Sequence, residues 1–158
     1  RLVGAEINPV QLAACAQLPA DPQMTFIRST HAAITELGPY DAIFCMAVLQ
    51  RLPHVVEQRG IRNIAKRYPF AHFASEVKFL ADQLRPGGLL VIDHCQYRVE
   101  DVDAPLRPVV NETVALAKGP RFDPSGALIA PQPGVARMFR PTDARAEHAE
   151  GGMIGQGQ

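Results

Sequence analysis

Apolar runs that alternate with amphipathic segments constrain the fold of this chain more than any other feature. Apolar runs predict strands at 1–7, 24–28, 41–49 and 89–92. Helical spacing of apolar residues predicts helices at 10–18 and 70–84, and 31–37 predicts a short helix or an irregular connection. Regular alternation of strand and helix is typical of a parallel sheet joined by right-handed crossovers. We therefore expect an α/β fold with helices on both faces of a parallel sheet.

Local signals support several of these elements. Asn8 can cap the first helix, and Pro9 suits its first position. The run at 41–49 is continuously apolar, which predicts a strand buried on both faces of the sheet. The helix at 70–84 has one apolar stripe, made of Phe73, Val77, Leu80, Ala81 and Leu84.

The second half of the chain predicts a different organisation. The polar, basic stretch at 53–69 predicts an exposed insertion or helix. A turn signal at 122–126 lies between short apolar segments, and 135–139 is expected to be the partner strand of a C-terminal antiparallel hairpin. We expect one domain over 1–140 and a disordered tail over 141–158, including the glycine-rich end.

Composition excludes several classes of function. The formal net charge is zero, which argues against nucleic-acid binding because such surfaces carry a basic excess. No apolar run reaches the ~20 residues that cross a bilayer, and the N-terminus has no signal-peptide layout. Cys15, Cys45 and Cys95 are too widely spaced for a metal motif or a disulfide framework. We expect buried thiols in a cytoplasmic protein without a metal site.

Ligands of open α/β sheets bind beyond the carboxyl ends of the strands, so the residues there are the candidates for a site. Glu6 ends the first predicted strand, and its carboxylate can accept hydrogen bonds from both hydroxyls of a ribose. Alternatively, Glu6 is a solvated acid or a cap for the following helix. The other strand ends carry Ser29 and Thr30, Cys45 and Met46, and Asp93 and His94.

Three side chains that follow the last parallel strand are candidate contacts with substrate. These are His94, Tyr97 and Arg98. His94 and Cys95 are not expected to form a nucleophile–base pair, because neighbouring residues of a strand point to opposite faces.

Three segments together resemble the class I S-adenosylmethionine-dependent methyltransferases. They read VGAEI at 3–7, YDAIFC at 40–45 followed by VLQRL at 48–52, and LRPGGLLVI at 84–92. In that family the second strand ends in an acid, the fourth begins with an aromatic–Asp pair, and the fifth follows a Leu-x-Pro-Gly-Gly turn. The resemblance covers residues 1–98 and implies a Rossmann-like fold, S-adenosyl-L-methionine as cofactor and transfer of a methyl group, with a small molecule as the expected acceptor.

The resemblance also implies roles for individual residues. Glu6 corresponds to the acid that binds the ribose, and Ile7 to the apolar residue packed on the adenine. Thr30 or Ser29 lies where the family often has an Asp that contacts the adenine amino group. Cys45 and Met46 lie where the fourth strand passes the methionine portion, chiefly through backbone groups. Gln50 stands where many members have His, and it is included among the expected substrate contacts.

The chain departs from the family in lacking its first strand and the glycine-rich loop after it. We interpret the sequence as an N-terminally truncated methyltransferase domain, and expect unpaired edges on either side of the missing strand. Two alternatives stay open. One is an NAD(P)-dependent doubly wound dehydrogenase, which shares the strand-end acid but would need a glycine-rich fingerprint and a Tyr-x-x-x-Lys pair that we do not find. The other is a non-catalytic pseudoenzyme that contributes an interaction surface.

Overall fold

The computed structural model describes residues 1–50, 59–108, 114–115, 121–129 and 135–141. It is a mixed α/β structure with small parallel ladders and, within these ranges, three α-helices. The chain divides into two compact units, Arg1–Pro39 and Tyr40–Gln158. None of the described helices is long and apolar enough to cross a membrane.

The first unit consists of two parallel strands, each followed by a short helix. Its elements are β1 (Leu2–Glu6), α1 (Pro9–Cys15), β2 (Met24–Arg28) and α2 (His31–Leu37). The strands pair in register from Leu2↔Met24 to Glu6↔Arg28. The side chain of Asn8 accepts a hydrogen bond from the Val10 N–H at 3.0 Å, so the predicted cap of α1 is confirmed.

Gly4 is required where these two strands meet. A Cβ atom at this position would lie 2.6 Å from the ring of Phe26, which is closer than carbon atoms approach in proteins. The absence of a side chain on β1 therefore lets the aromatic ring of β2 pack against the backbone of its neighbour.

The second unit contains one longer helix and most of the strands. Its elements are β3 (Tyr40–Met46), α3 (Phe70–Asp82), β4 (Leu84–Asp93), a 3₁₀ turn (Val99–Asp101), β5 (Leu106–Pro108), β6 (Val114–Ala115), β7 (Arg121–Phe122), β8 (Leu128–Ile129) and β9 (Val135–Pro141). The main sheet has the order β3-β4-β9-β5, and β6 also pairs with β9. β3 and β4 are parallel, whereas β9 runs antiparallel to both β4 and β5.

β4 begins earlier than the sequence predicted. Residues 85–88 were expected to form a turn, but the strand starts at Leu84, which pairs with Tyr40. The register then shifts, because Ala42 is opposite Leu89. Gly87 lies within this bulge with φ +75°, a left-handed conformation that favours glycine.

The predicted C-terminal hairpin exists, but with a different partner strand. β7 and β8 pair with each other around the turn at 123–126. The Asp123 carboxylate holds this turn by accepting hydrogen bonds from the Ser125 hydroxyl at 2.6 Å and the Ala127 N–H at 3.0 Å. β9, the expected partner, instead pairs antiparallel with β4. Proximity in the sequence favours the shorter hairpin, since it closes a smaller loop.

The predicted apolar stripe of α3 is confirmed, because Phe73, Val77 and Ala81 are buried. Ile64 and Tyr68 are buried beside it, so the prediction of an exposed segment at 53–69 is wrong for these two residues. Residues 51–58 of that segment lie outside the described residues. An aromatic cluster accounts for the burial of Tyr68, since the ring centroids of its contacting members lie 5.4–6.4 Å apart. The cluster consists of Tyr68, Phe70, Phe73 and Tyr97.

The two faces of β3 differ in burial. Cys45 is buried in the core, whereas Phe44 and Met46, on the opposite face, are 68% and 47% exposed. The prediction of a strand buried on both faces is therefore wrong for these residues. A continuous apolar run carries no period-2 signal, so it does not distinguish one buried face from two. The expected tail begins at Pro141, which is the last residue of β9, and residues 142–158 lie outside the described residues.

Candidate functional site

In the first unit, Glu6 lies at the carboxyl end of the parallel pair. It is half-buried and stands beside Arg28 in the ladder. Its Oε1 atom accepts a hydrogen bond from the Asn8 N–H at 2.7 Å. The carboxylate therefore supports the start of α1, which is the alternative role considered for it. A carboxylate accepts hydrogen bonds on both oxygens, so this contact leaves Oε2 with acceptor capacity.

Three other predicted cofactor residues surround the same strand ends. Ile7 follows Glu6 and is 75% exposed. Ser29 follows β2, and its N–H donates to the Glu6 carbonyl at 2.9 Å. Thr30 caps α2, because its Oγ1 accepts from the Ala33 N–H at 3.2 Å. The structure thus brings Glu6, Ile7, Ser29 and Thr30 together at one edge of one parallel pair.

In the second unit, β3 and β4 end side by side, with Met46 opposite Asp93. The Ala47 N–H extends the ladder by donating to the Asp93 carbonyl at 3.1 Å. The residues that follow the two strands, Ala47 at φ 56° and His94 at φ 53°, both adopt the left-handed region. Gln50, predicted as a substrate contact, donates from Nε2 to the Ala47 carbonyl at 3.2 Å and so holds this loop.

The main feature of this strand end is a hydrogen-bonded pair formed by Asp93 and His94. Nδ1 of His94 lies 2.5 Å from Oδ2 of Asp93. The Asp93 side chain is 10% exposed and the His94 side chain 33% exposed. A carboxylate on Nδ1 favours the tautomer that carries its proton there, which leaves the lone pair on Nε2.

Sequence reasoning placed His94 at this site but missed its partner. The alternation of side chains holds only for extended backbone. β4 ends at Asp93, and the left-handed φ of His94 turns its ring back to the preceding carboxylate. The available signal was an Asp-His dipeptide directly after a predicted strand.

Neither buried cysteine of this unit has the properties of a nucleophile. Burial, with a smaller contribution from Cys95, raises the pKa of the Cys45 thiol to about 12. Burial also raises the pKa of Cys95, although the charge of Arg121 opposes this effect. The Cys95 thiol donates to the Tyr97 carbonyl at 3.2 Å. Because the thiolate is the reactive species, both groups are inert at neutral pH. Any role of Cys45 toward a cofactor is therefore confined to its backbone.

Two of the predicted substrate contacts have other partners. Tyr97 has no exposed surface, and its hydroxyl donates to the Tyr68 carbonyl at 2.5 Å. Burial, followed by the charge of Asp123, raises its pKa. Arg98 is exposed and pairs through Nε and Nη2 with both carboxylate oxygens of Asp101, at 3.0 and 2.6 Å. We therefore no longer include Tyr97 among the candidate substrate contacts.

Within the residues that the structure describes, no three His, Cys, Asp or Glu side chains lie close enough together to hold a metal ion. No family model matches the sequence, and no curated protein matches it. Among solved structures, the chain is similar to the precorrin 8W decarboxylase of Methanobacterium thermoautotrophicum, at 11% identity over 89% of this chain and 69% of that chain, with a TM-score of 0.43. This similarity is too low to assign a fold family or an activity.

Proposed function

We propose that this chain is a methyltransferase-type domain that binds S-adenosyl-L-methionine and transfers its methyl group to a small molecule. One observation carries the proposal. The parallel pair β1–β2 ends in a half-buried carboxylate at Glu6, with an exposed apolar side chain directly after it. This is the arrangement that the sequence resemblance requires for the adenosine half of the cofactor.

The residues present fit adenosine on chemical grounds. Oε2 of Glu6 has acceptor capacity for the hydroxyls of a ribose. Ile7 offers exposed apolar surface to a purine ring. The Ser29 and Thr30 hydroxyls are polar groups at the end of the neighbouring strand. When bound, the cofactor supplies an electrophilic methyl group on a sulfonium.

The second unit adds features that agree with the same resemblance. The segments YDAIFC and LRPGGLLVI form adjacent parallel strands, β3 and β4. β1 and β3 belong to different ladders within the described residues. Met46, Gln50, His94 and Arg98 remain proposed contacts of the methionine portion or the substrate.

Titration calorimetry with S-adenosylhomocysteine tests the proposal, with NAD as the competing ligand. We expect binding of the first and none of the second. Glu6→Gln keeps the shape of the side chain but removes its charge. A hydrogen bond to a charged acceptor is worth about 1 kcal/mol more than one to a neutral acceptor, so two ribose hydroxyls give roughly a 30-fold weaker Kd. Glu36→Gln on the exposed surface of α2 is the matched control and should leave the affinity unchanged.

Each outcome of this titration assigns the chain differently. Binding of NAD alone would support a doubly wound dehydrogenase, whose cofactor also presents ribose hydroxyls to a strand-end acid. Binding of neither ligand would overturn the proposal and favour the non-catalytic alternative. Binding of S-adenosylhomocysteine with equal affinity by Glu6→Gln would show that the cofactor is held elsewhere.

A further inference from the structure

We propose that His94 is the general base of the methyl transfer and that Asp93 is the residue that positions it. This inference rests on the proposed function and extends it to the class of methyl acceptor. The acceptor would be a neutral hydroxyl or phenol, since its oxygen must lose a proton as it is methylated. A carboxylate acceptor needs no base because it is already deprotonated at neutral pH.

The geometry of the Asp93–His94 pair suits a base and the residue that positions it. Asp93 Oδ2 lies 2.5 Å from His94 Nδ1, which fixes the ring and assigns the proton to Nδ1. The lone pair of Nε2 is then available to take a proton. The two side chains differ in exposure, since that of Asp93 is 10% exposed and that of His94 is 33% exposed. The orienting group is thus covered by protein, while the group that exchanges protons remains accessible.

The backbone around His94 lies at a strand end and is strained. His94 follows a parallel strand at its carboxyl end, where ligands of α/β sheets bind. Both His94 and Ala47, which follows the adjacent strand β3, have positive φ. Non-glycine residues in this region carry strain, and such residues cluster at functional sites. The hydrogen bond from the Ala47 N–H to the Asp93 carbonyl joins Ala47 to the residue that precedes His94.

The proposed step is balanced. The oxygen of the acceptor forms a bond to the methyl carbon as the carbon–sulfur bond breaks. The electron pair of that bond remains on sulfur, which becomes a neutral thioether. The proton of the acceptor passes to Nε2, and the Asp93 carboxylate stabilises the imidazolium that forms. Solvent takes the proton before the next cycle.

The test reads the tautomer of His94 directly. Long-range ¹H–¹⁵N correlation spectra of the ¹⁵N-histidine-labelled chain distinguish a proton on Nδ1 from one on Nε2, and His94→Gln assigns the signals. We expect the Nδ1–H tautomer for His94. Asp93→Asn should move the proton to Nε2, because an amide can turn its NH₂ group toward Nδ1. A wild-type His94 ring protonated on Nε2 would overturn the proposal, whatever the spectrum of Asp93→Asn.

Chemical modification gives a second, independent readout. Diethylpyrocarbonate acylates an unprotonated imidazole nitrogen, and peptide mass mapping follows each histidine. We expect Asp93→Asn to slow modification of His94 at least 10-fold while leaving His72, on the exposed surface of α3, unchanged. Equal rates in the two proteins would contradict the role of Asp93.

Addition of S-adenosylhomocysteine separates this proposal from the proposed function. Protection of His94 places it beside the bound cofactor, as a base for methyl transfer requires. Binding without protection would overturn the role of His94 alone. Absence of binding would overturn the methyltransferase assignment, and with it the proposed reaction, even if the tautomer is the expected one.

Discussion

Alkylation of Cys45 tests the burial of the β3 inner face quantitatively. The thiolate is the species that reacts with iodoacetamide. A thiol with the ordinary pKa of 9.0 is about one-tenth ionised at pH 8, whereas one with a pKa of about 12 is ionised to about one part in ten thousand. The folded protein should therefore alkylate Cys45 roughly 1,000-fold more slowly than the unfolded chain at the same pH. Limited access to the buried sulfur adds to this factor.

Peptide mass mapping measures the rate at each cysteine in native buffer and in guanidinium chloride. Cys15 is half-buried on α1 and serves as the internal reference. Cys45→Ala identifies the slow peptide. If native Cys45 reacts within about 10-fold of its denatured rate, then the sulfur is not desolvated and the assignment of β3 faces is wrong. Unchanged binding of S-adenosylhomocysteine by Cys45→Ala would support a backbone-only role for this residue.

Two further predictions concern groups around the turn and the aromatic cluster. Tyr97→Phe should lower the free energy of unfolding by about 1–2 kcal/mol, because it removes the buried hydrogen bond of the hydroxyl. Its affinity for S-adenosylhomocysteine should be unchanged. Urea unfolding measures the stability, and titration calorimetry measures the affinity. A weaker affinity without a loss of stability would restore Tyr97 as a ligand contact. The Ser125 hydroxyl and the Ala127 N–H lower the pKa of Asp123 below its usual 3.8. Its stabilising contribution is therefore present above pH 3.8 and is lost as the pH falls through the lowered pKa. Wild-type protein should lose more stability between about pH 5 and 2 than Asp123→Asn does. Parallel curves of unfolding free energy against pH for the two proteins would refute the stabilising role of the Asp123 carboxylate.

The parts of the fold that depend on local chemistry were predictable. Asn8 caps α1 because its side chain and the helix start are adjacent in the sequence. The apolar stripe of α3 follows from a period of 3.6 residues, which is visible in one segment. Parallel pairing of β1 with β2 and of β3 with β4 followed from the alternation of strands and helices. Each of these features is encoded within a few residues or in their order.

Features that depend on distant partners were not predictable. The burial of Tyr68 requires the ring of Tyr97, which lies 29 positions later in the sequence and donates its hydroxyl to the Tyr68 carbonyl. The partner of β9 depends on which edge of β4 is available, not on the turn that precedes it. A continuous apolar run likewise does not reveal which face of β3 the core covers.

The Asp93–His94 pair shows how a single backbone angle determined the candidate site. In an extended chain these two side chains would point to opposite faces, and Asp93 would be buried without this partner. A left-handed residue costs about 1–2 kcal/mol. An ionised carboxylate buried without a partner costs several kcal/mol. The hydrogen bond between the two side chains therefore offsets more than the strain at His94. The same turn that satisfies the buried acid also fixes the imidazole at the end of the strand, so stability and the proposed catalytic geometry have one physical cause.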